Sequence, residues 1–172
     1  MSIVQWITLV IAVFGAVLGV INTWRAMDRD RVKIRVTPKI AFVVDVSNSI
    51  TVDRNSAHVQ RLRAAGLPEK LAVEMVNLSN FPVTMSDAGF GRADQTRQTI
   101  FRPELTSGKT WPVRLEPREA VTAFTEIGIE LDPAMMTQPI AYAKTDCGTV
   151  RYGTSSIFKE YVKSLRTIGG KQ

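Results

Sequence analysis

Apolar and polar positions divide the chain into three regimes. From Ile3 to Trp24, IVQWITLVIAVFGAVLGVINTW, no side chain is charged. From Val32 onward apolar residues recur at every second position, in short runs separated by turn chemistry. From Ser156 the spacing lengthens to that of a helix. The three patterns predict a membrane-spanning helix, a β domain and a closing amphipathic helix.

A helix rises about 1.5 Å per residue, so the first run covers about 33 Å, enough for a hydrocarbon core of about 30 Å. Trp6 and Trp24 stand about 27 Å apart along such an axis and are expected at its two interfaces. The polar residues Gln5, Thr8, Asn22 and Thr23 fall towards the ends. A buried core helix is usually shorter and keeps a polar stripe. A cleaved signal peptide needs a basic segment ahead of the run and a small-x-small cleavage site. Met1-Ser2 carry no charged side chain, and only Val17-Leu18-Gly19 offers a weak site. Residues 1–24 are therefore expected to be an uncleaved anchor. Ala12, Gly15, Ala16 and Gly19, with Thr8, share one face, and Gly15-x-x-x-Gly19 is the spacing that lets two helix backbones approach closely. A homodimer through this helix, or packing against a partner helix, is the functional reading. The plainer one is that small residues are common in membrane helices.

Val32-Lys33-Ile34-Arg35-Val36 alternates strictly, as a half-buried strand requires. Pro38 interrupts it, since proline inside a sheet belongs at an edge or bulge, and Ile40 to Val44 follows as a strand or as a continuation of the same one. Asn55-Ser56 is expected to cap a helix over Ala57 to Ala65, stopped by Gly66-Leu67-Pro68. Leu71, Val73 and Met75, with Asn77, mark the next strand, and Asn77 to Pro82 has tight-turn chemistry. Further strands are expected at Val83 to Ser86, Thr96 to Phe101, Thr110 to Leu115, Ala120 to Ile127, Ile140 to Thr145 and Thr149 to Tyr152. Asp146-Cys147-Gly148 suits a hairpin loop with glycine in the left-handed position. Ile157, Phe158, Tyr161, Val162, Leu165 and Ile168 form a helical stripe. The expected fold is mainly β: an N-terminal transmembrane helix, a two-layer antiparallel sandwich over 32–155, and a helix over 156–168. That last helix packs on the sheet or, as the alternative, docks on a membrane or partner.

Charge sets the orientation. The formal net charge is +6, and between Arg25 and Lys39 six basic residues face two acidic ones, a net +4. Residues 25–31 form a basic juxtamembrane segment. Arg25, Arg29, Arg31, Lys33 and Arg35, together with Trp6 and Trp24, are the candidate membrane-interface residues, with anionic headgroups as the lipid partner. Basic flanks stay on the cytoplasmic side, so the N-terminus is expected outside and the soluble domain in the cytoplasm. The alternative is the opposite, periplasmic topology. Nucleic-acid binding is not expected, because such charge would spread over a domain face.

Candidate chemistry is sparse. A single cysteine, Cys147, allows no intramolecular disulfide and sits in a turn with no identifiable base nearby. One histidine, His58, cannot complete a metal site alone. Gly89-Phe90-Gly91 is too short for a phosphate loop, and no serine stands in a G-x-S-x-G elbow. Asp87, Asp94, Asp132 and Asp146 can meet in space, but carboxylates in turns usually bond their own backbone. Asn77-Leu78-Ser79 fits a glycosylation acceptor pattern. No catalytic, cofactor-binding or metal-binding residue is assigned, and no cofactor is expected.

The order of anchor, basic strand, Asn77-Leu78-Ser79-Asn80-Phe81-Pro82-Val83 turn, Leu115-Glu116-Pro117 turn and Thr145-Asp146-Cys147-Gly148 hairpin resembles bacterial and prophage-type single-pass membrane proteins. Those proteins carry an immunoglobulin-like domain. The resemblance covers most of the chain and implies an immunoglobulin-like sandwich held at the bacterial inner membrane. The Cys–Trp–Cys signature of antibody-type domains is absent. No functional residues come across with it. The expected role is a non-enzymatic, membrane-tethered module that binds another protein, of unknown identity. The alternatives are an envelope accessory domain and an enzyme with a loop-built site.

Overall fold

The computed structural model describes residues 2–45, 48–52, 54, 57–92, 97–100, 103–106, 108–125, 131 and 139–169. The expected cap Asn55-Ser56 and the carboxylates Asp94 and Asp132 lie outside the described residues, as do Thr96, Phe101 and Ile127. The chain divides into two compact units, Met1–Val32 and Lys33–Gln172.

The first unit is α1 (Ile3–Arg29), a helix of 27 residues. It opens with a capping box: the Gln5 N–H donates to the Ser2 hydroxyl, and the Ser2 N–H donates to the Gln5 side chain at 2.9 Å. The hydroxyls of Thr8 and Thr23 donate to the carbonyls of Val4 and Gly19, each at 2.9 Å. Their polarity is thus satisfied inside the helix, as an apolar surround requires. The helix continues past Trp24 through the first charged residues and stops at Asp30, whose N–H donates to Ala26. No residue of α1 is buried. It is long and apolar enough to cross a membrane.

The second unit is mainly β. In chain order it runs β1 (Ile34–Asp45), β2 (Asn48–Val52), α2 (Ala57–Ala64), β3 (Glu69–Asn77), β4 (Val83–Arg92), β5 (Arg97–Thr99), β6 (Glu104–Leu105), β7 (Val113–Leu115), β8 (Ala120–Phe124), β9 (Pro139–Thr145), β10 (Val150–Gly153) and α3 (Ser156–Gly169). One antiparallel sheet has the order β2-β1-β3-β8-β6 and the other β10-β9-β4-β5, with β7 also paired to β4. The segments Val83 to Ser86 and Gly89 to Arg92 are one strand, β4. A bulge between Met85 and Asp87 shifts its register against β9. α2 ends on Gly66, whose φ of 68° lets its N–H reach the Arg63 carbonyl.

Period-two alternation decides what the sheets bury. On β1, Ile34, Val36, Ile40 and Phe42 point inward, and on β3 Leu71, Val73 and Met75 do the same. On β9 the exposed Lys144 marks the outer face, so Ala141, Ala143 and Thr145 face the opposite sheet. The outward face of the first sheet has its own small apolar cluster, Ala41, Ala72 and Phe124. Lys39 bonds Glu74 at 2.6 Å and Lys70 bonds Glu104 at 2.9 Å beside it.

Pro38 does not interrupt β1. The Leu78 N–H donates to Lys33 and the Val43 N–H to Pro68, so odd-numbered residues of β1 bond towards β3 and even-numbered ones away from it. The proline nitrogen therefore faces the side opposite β3, and β2 begins to pair there only at Ile40. No ladder bond is lost, which is the condition for proline in a strand.

After β10 the chain turns into α3, where the Ser155 hydroxyl accepts from the Phe158 N–H at 3.3 Å. Ile157, Phe158 and Val162 are buried, and the helix touches both β1 and β9. The Phe158 ring lies 5.1 Å from that of Phe90, centroid to centroid and tilted by 40°. Such a pair adds about 1 kcal/mol beyond its buried area. Burial pushes the Tyr161 phenol above its ordinary pKa, and the Glu69 carboxylate adds to the rise. Arg63, bonded to Glu69 at 3.0 Å, opposes it.

Candidate functional site

The candidate interface residues separate between the two units. Trp6, Trp24, Arg25, Arg29 and Arg31 belong to the first, whereas Lys33 and Arg35 belong to the second. Trp6 and Trp24 are 57% and 69% exposed, so both rings are free to meet a surround. At about 100° per residue, 18 positions are about five full turns, which puts both rings on the same side of α1. Gln5, Thr8, Ala12, Gly15, Ala16, Gly19, Asn22 and Thr23 fall within an arc of about 120°. The tryptophans lie about 140° from its centre. A Cβ placed on Gly15 or Gly19 would meet no heavy atom within 4 Å. Trp24, Arg25, Asp28 and Arg29 line a recess of about 270 Å³ that runs round the helix from the Trp24 side. Lys33 is held by its backbone, donating to the Ser79 hydroxyl at 2.8 Å and accepting from Leu78 at 2.7 Å. Arg35 points outward from β1.

In the second unit the polar side chains with the most partners are structural. Asn77 is wholly buried at an inward position of β3. Its amide donates to the carbonyls of Phe81 (2.8 Å), Leu115 (3.1 Å) and Glu116 (3.2 Å), while its oxygen accepts from the Ser79 N–H at 2.9 Å. Its backbone also bonds Arg118 and Glu119. One side chain thus ties the β3–β4 loop to the β7–β8 turn. The glycosylation pattern at Asn77 is correspondingly closed: its nitrogen is committed and shielded in the folded chain.

Asp87 stands on the outer face of β4. The Tyr142 hydroxyl donates to its Oδ2 at 3.2 Å and lies 2.8 Å from the Thr99 hydroxyl, so three strands are bridged. Asp87 Oδ1 is buried and has no hydrogen-bond partner among the described residues. Asp146 is instead exposed in the β9–β10 turn, with its N–H on the Thr84 carbonyl. Neither is grouped for metal binding: among the described residues no three of His, Cys, Asp and Glu come together in that way. His58 is exposed on α2.

Cys147 is exposed in its turn, where Gly148 adopts a φ of 84°. Hydrogen bonds from Thr145, then Thr149, favour its thiolate and hold its pKa below the ordinary value. In the β7–β8 turn Arg118 takes a left-handed φ of 67°, and Glu119 closes the turn by accepting the Glu116 N–H at 2.8 Å. The bond from Lys109 and that backbone contact lower the Glu119 pKa below 4.5. A depressed carboxylate contributes stability that is complete above the unfolded value and disappears as pH falls through the folded one. Melting temperature is accordingly expected to decline as pH drops below about 4.5, and less so in Glu119→Gln. An identical acid limb in the variant would remove Glu119 from the account.

Sequence reasoning missed the Asn77 hub and the Asp87–Tyr142–Thr99 bridge. Only the first had a signal, a polar residue at an inward strand position, which must find partners. Comparison of the chain with protein-family models, with curated proteins and with solved structures found no match.

Proposed function

We propose that this chain is a single-pass membrane protein that presents an immunoglobulin-like sandwich as a protein-interaction module, at the cytoplasmic face of a bacterial inner membrane. The observation that carries the reading is the pairing of a wholly exposed, apolar 27-residue helix with a separate, self-contained β unit. Strand order supports the fold family. With β1, β3, β8 and β6 lettered A, B, E and D, and β10, β9, β4 and β5 lettered G, F, C and C′, the sheets run A-B-E-D and G-F-C-C′. That is the order of immunoglobulin sandwiches, with β2 and β7 as additions. Such sandwiches offer edges and outer faces to partners, and the work assigned to this one rests on architecture.

The cytoplasmic placement rests on the basic flank after Trp24. A reporter fused after Gln172, active on one side of the membrane only, tests it. Activity in the cytoplasm is the expected result, whereas activity in the periplasm would turn the module into an envelope accessory domain.

Self-association through α1 belongs to the same reading. The small residues on one arc, with both tryptophans turned away from it, suit a second copy of the helix. Gly15→Ile and Gly19→Ile are each expected to lower dimer signal at least several-fold in a membrane two-hybrid assay. Val13→Ile, off the arc, should leave it unchanged. Equal signals from all three would remove the helix from the dimer.

A further inference from the structure

We propose that the face of α1 formed by Trp24, Arg25, Asp28 and Arg29 binds the headgroup of a monoanionic glycerophospholipid of the phosphatidylglycerol class. This rests on reading α1 as a spanning helix, and gives its basic flank one discrete site in place of a diffuse positive collar. The four side chains line one recess of about 270 Å³, and Arg31, Lys33 and Arg35 are not among them. They fall within an arc of about 140°, whose centre lies about 150° from that of the small residues, with Arg29 at the end nearer to them.

Depth fits the ligand. From Trp24 to Arg29 the axis rises about 7.5 Å, close to the roughly 5–7 Å of headgroup that flanks each side of the hydrocarbon core. An indole at Trp24 belongs at the glycerol level, and the two arginines one turn apart belong at the phosphate level. Guanidinium forks match phosphodiester oxygens in pairs of hydrogen bonds. Charge selects among headgroups. Two guanidiniums and one carboxylate sum to a single positive charge, which one phosphodiester neutralises. Asp28 repels a second negative charge.

The test uses the full chain reconstituted in phosphatidylcholine vesicles that carry trace spin-labelled lipid. Electron paramagnetic resonance reads the motionally restricted lipid around α1. At low salt, labelled phosphatidylglycerol is expected to be preferred over labelled phosphatidylcholine by about five-fold, the effect of one surface charge. Arg25→Gln with Arg29→Gln should abolish the preference. The triple change Arg31→Gln, Lys33→Gln and Arg35→Gln should leave most of it. Asp28→Asn should raise the affinity for labelled cardiolipin, a dianionic lipid, more than that for phosphatidylglycerol. Preference lost in the triple variant and kept in the double one would overturn the site. A restricted component with no lipid preference would overturn it while leaving the spanning helix intact. No restricted component at all would overturn the spanning reading itself.

Discussion

Asn77→Ala is expected to destabilise the β unit by about 3 kcal/mol or more, because it deprives a buried junction of several hydrogen bonds at once. The carbonyls of Phe81, Leu115 and Glu116 would each lose a donor, and the Ser79 N–H its acceptor. No water can replace them without entering a position that is 0% exposed. Asn77→Asp should be equally damaging, since it keeps the acceptor, removes both donors and buries a charge. Denaturant melts of the full chain in detergent, followed by Trp111 fluorescence in a Trp6→Phe, Trp24→Phe background, measure the difference. A loss below about 1 kcal/mol in both variants would mean that the two turns hold each other without the side chain.

Gly153→Ala is the second large effect, and its cause is steric. A Cβ on Gly153 would fall on the carbonyl carbon and oxygen of Val36 and press on the Val36 side chain. That carbonyl faces away from β3, as every even position of β1 does, and so lies in the path of β10. A backbone obstacle cannot swing aside as a flexible side chain can. β10 must retreat from β1, taking the start of α3 with it, at a cost of about 2–3 kcal/mol. Gly148→Ala is the control. Gly148 has a φ of 84° and open space around it, so only backbone strain of about 1 kcal/mol is expected. Melts that rank Gly148→Ala as the worse of the two would contradict the close approach of β1 and β10.

How much of this was readable in advance depended on range. The helix α1 was legible because a long uncharged apolar run is a local property of composition. The strands at Leu71 to Asn77, Val83 onward, Ile140 to Thr145 and Thr149 to Tyr152 were legible because one buried face writes a period of two. Pro38 misled for the same local reason. Its effect depends on which edge its nitrogen faces, and that is decided by pairing with β3, some 35 residues away. The partners of Asn77 come from 38 and 39 positions later in the chain, and Tyr142 reaches Asp87 across 55. No window of sequence contains both ends of such bonds. The basic flank was visible as charge, but its division between helix face and first strand required knowing where α1 stops.

Pro38 also has a meaning for the polar groups of the interior. An unpaired stretch of strand inside a fold leaves N–H groups without partners, and each such buried group costs free energy. Between the stretch of β1 that pairs with β2 and the stretch that β10 approaches, Pro38 is buried where, among the described residues, no strand pairs with that side of β1. A proline there has no N–H to leave unpaired in the interior. Pro38 thus carries β1 across the gap between β2 and β10 without an orphaned donor, leaving the fold undisturbed.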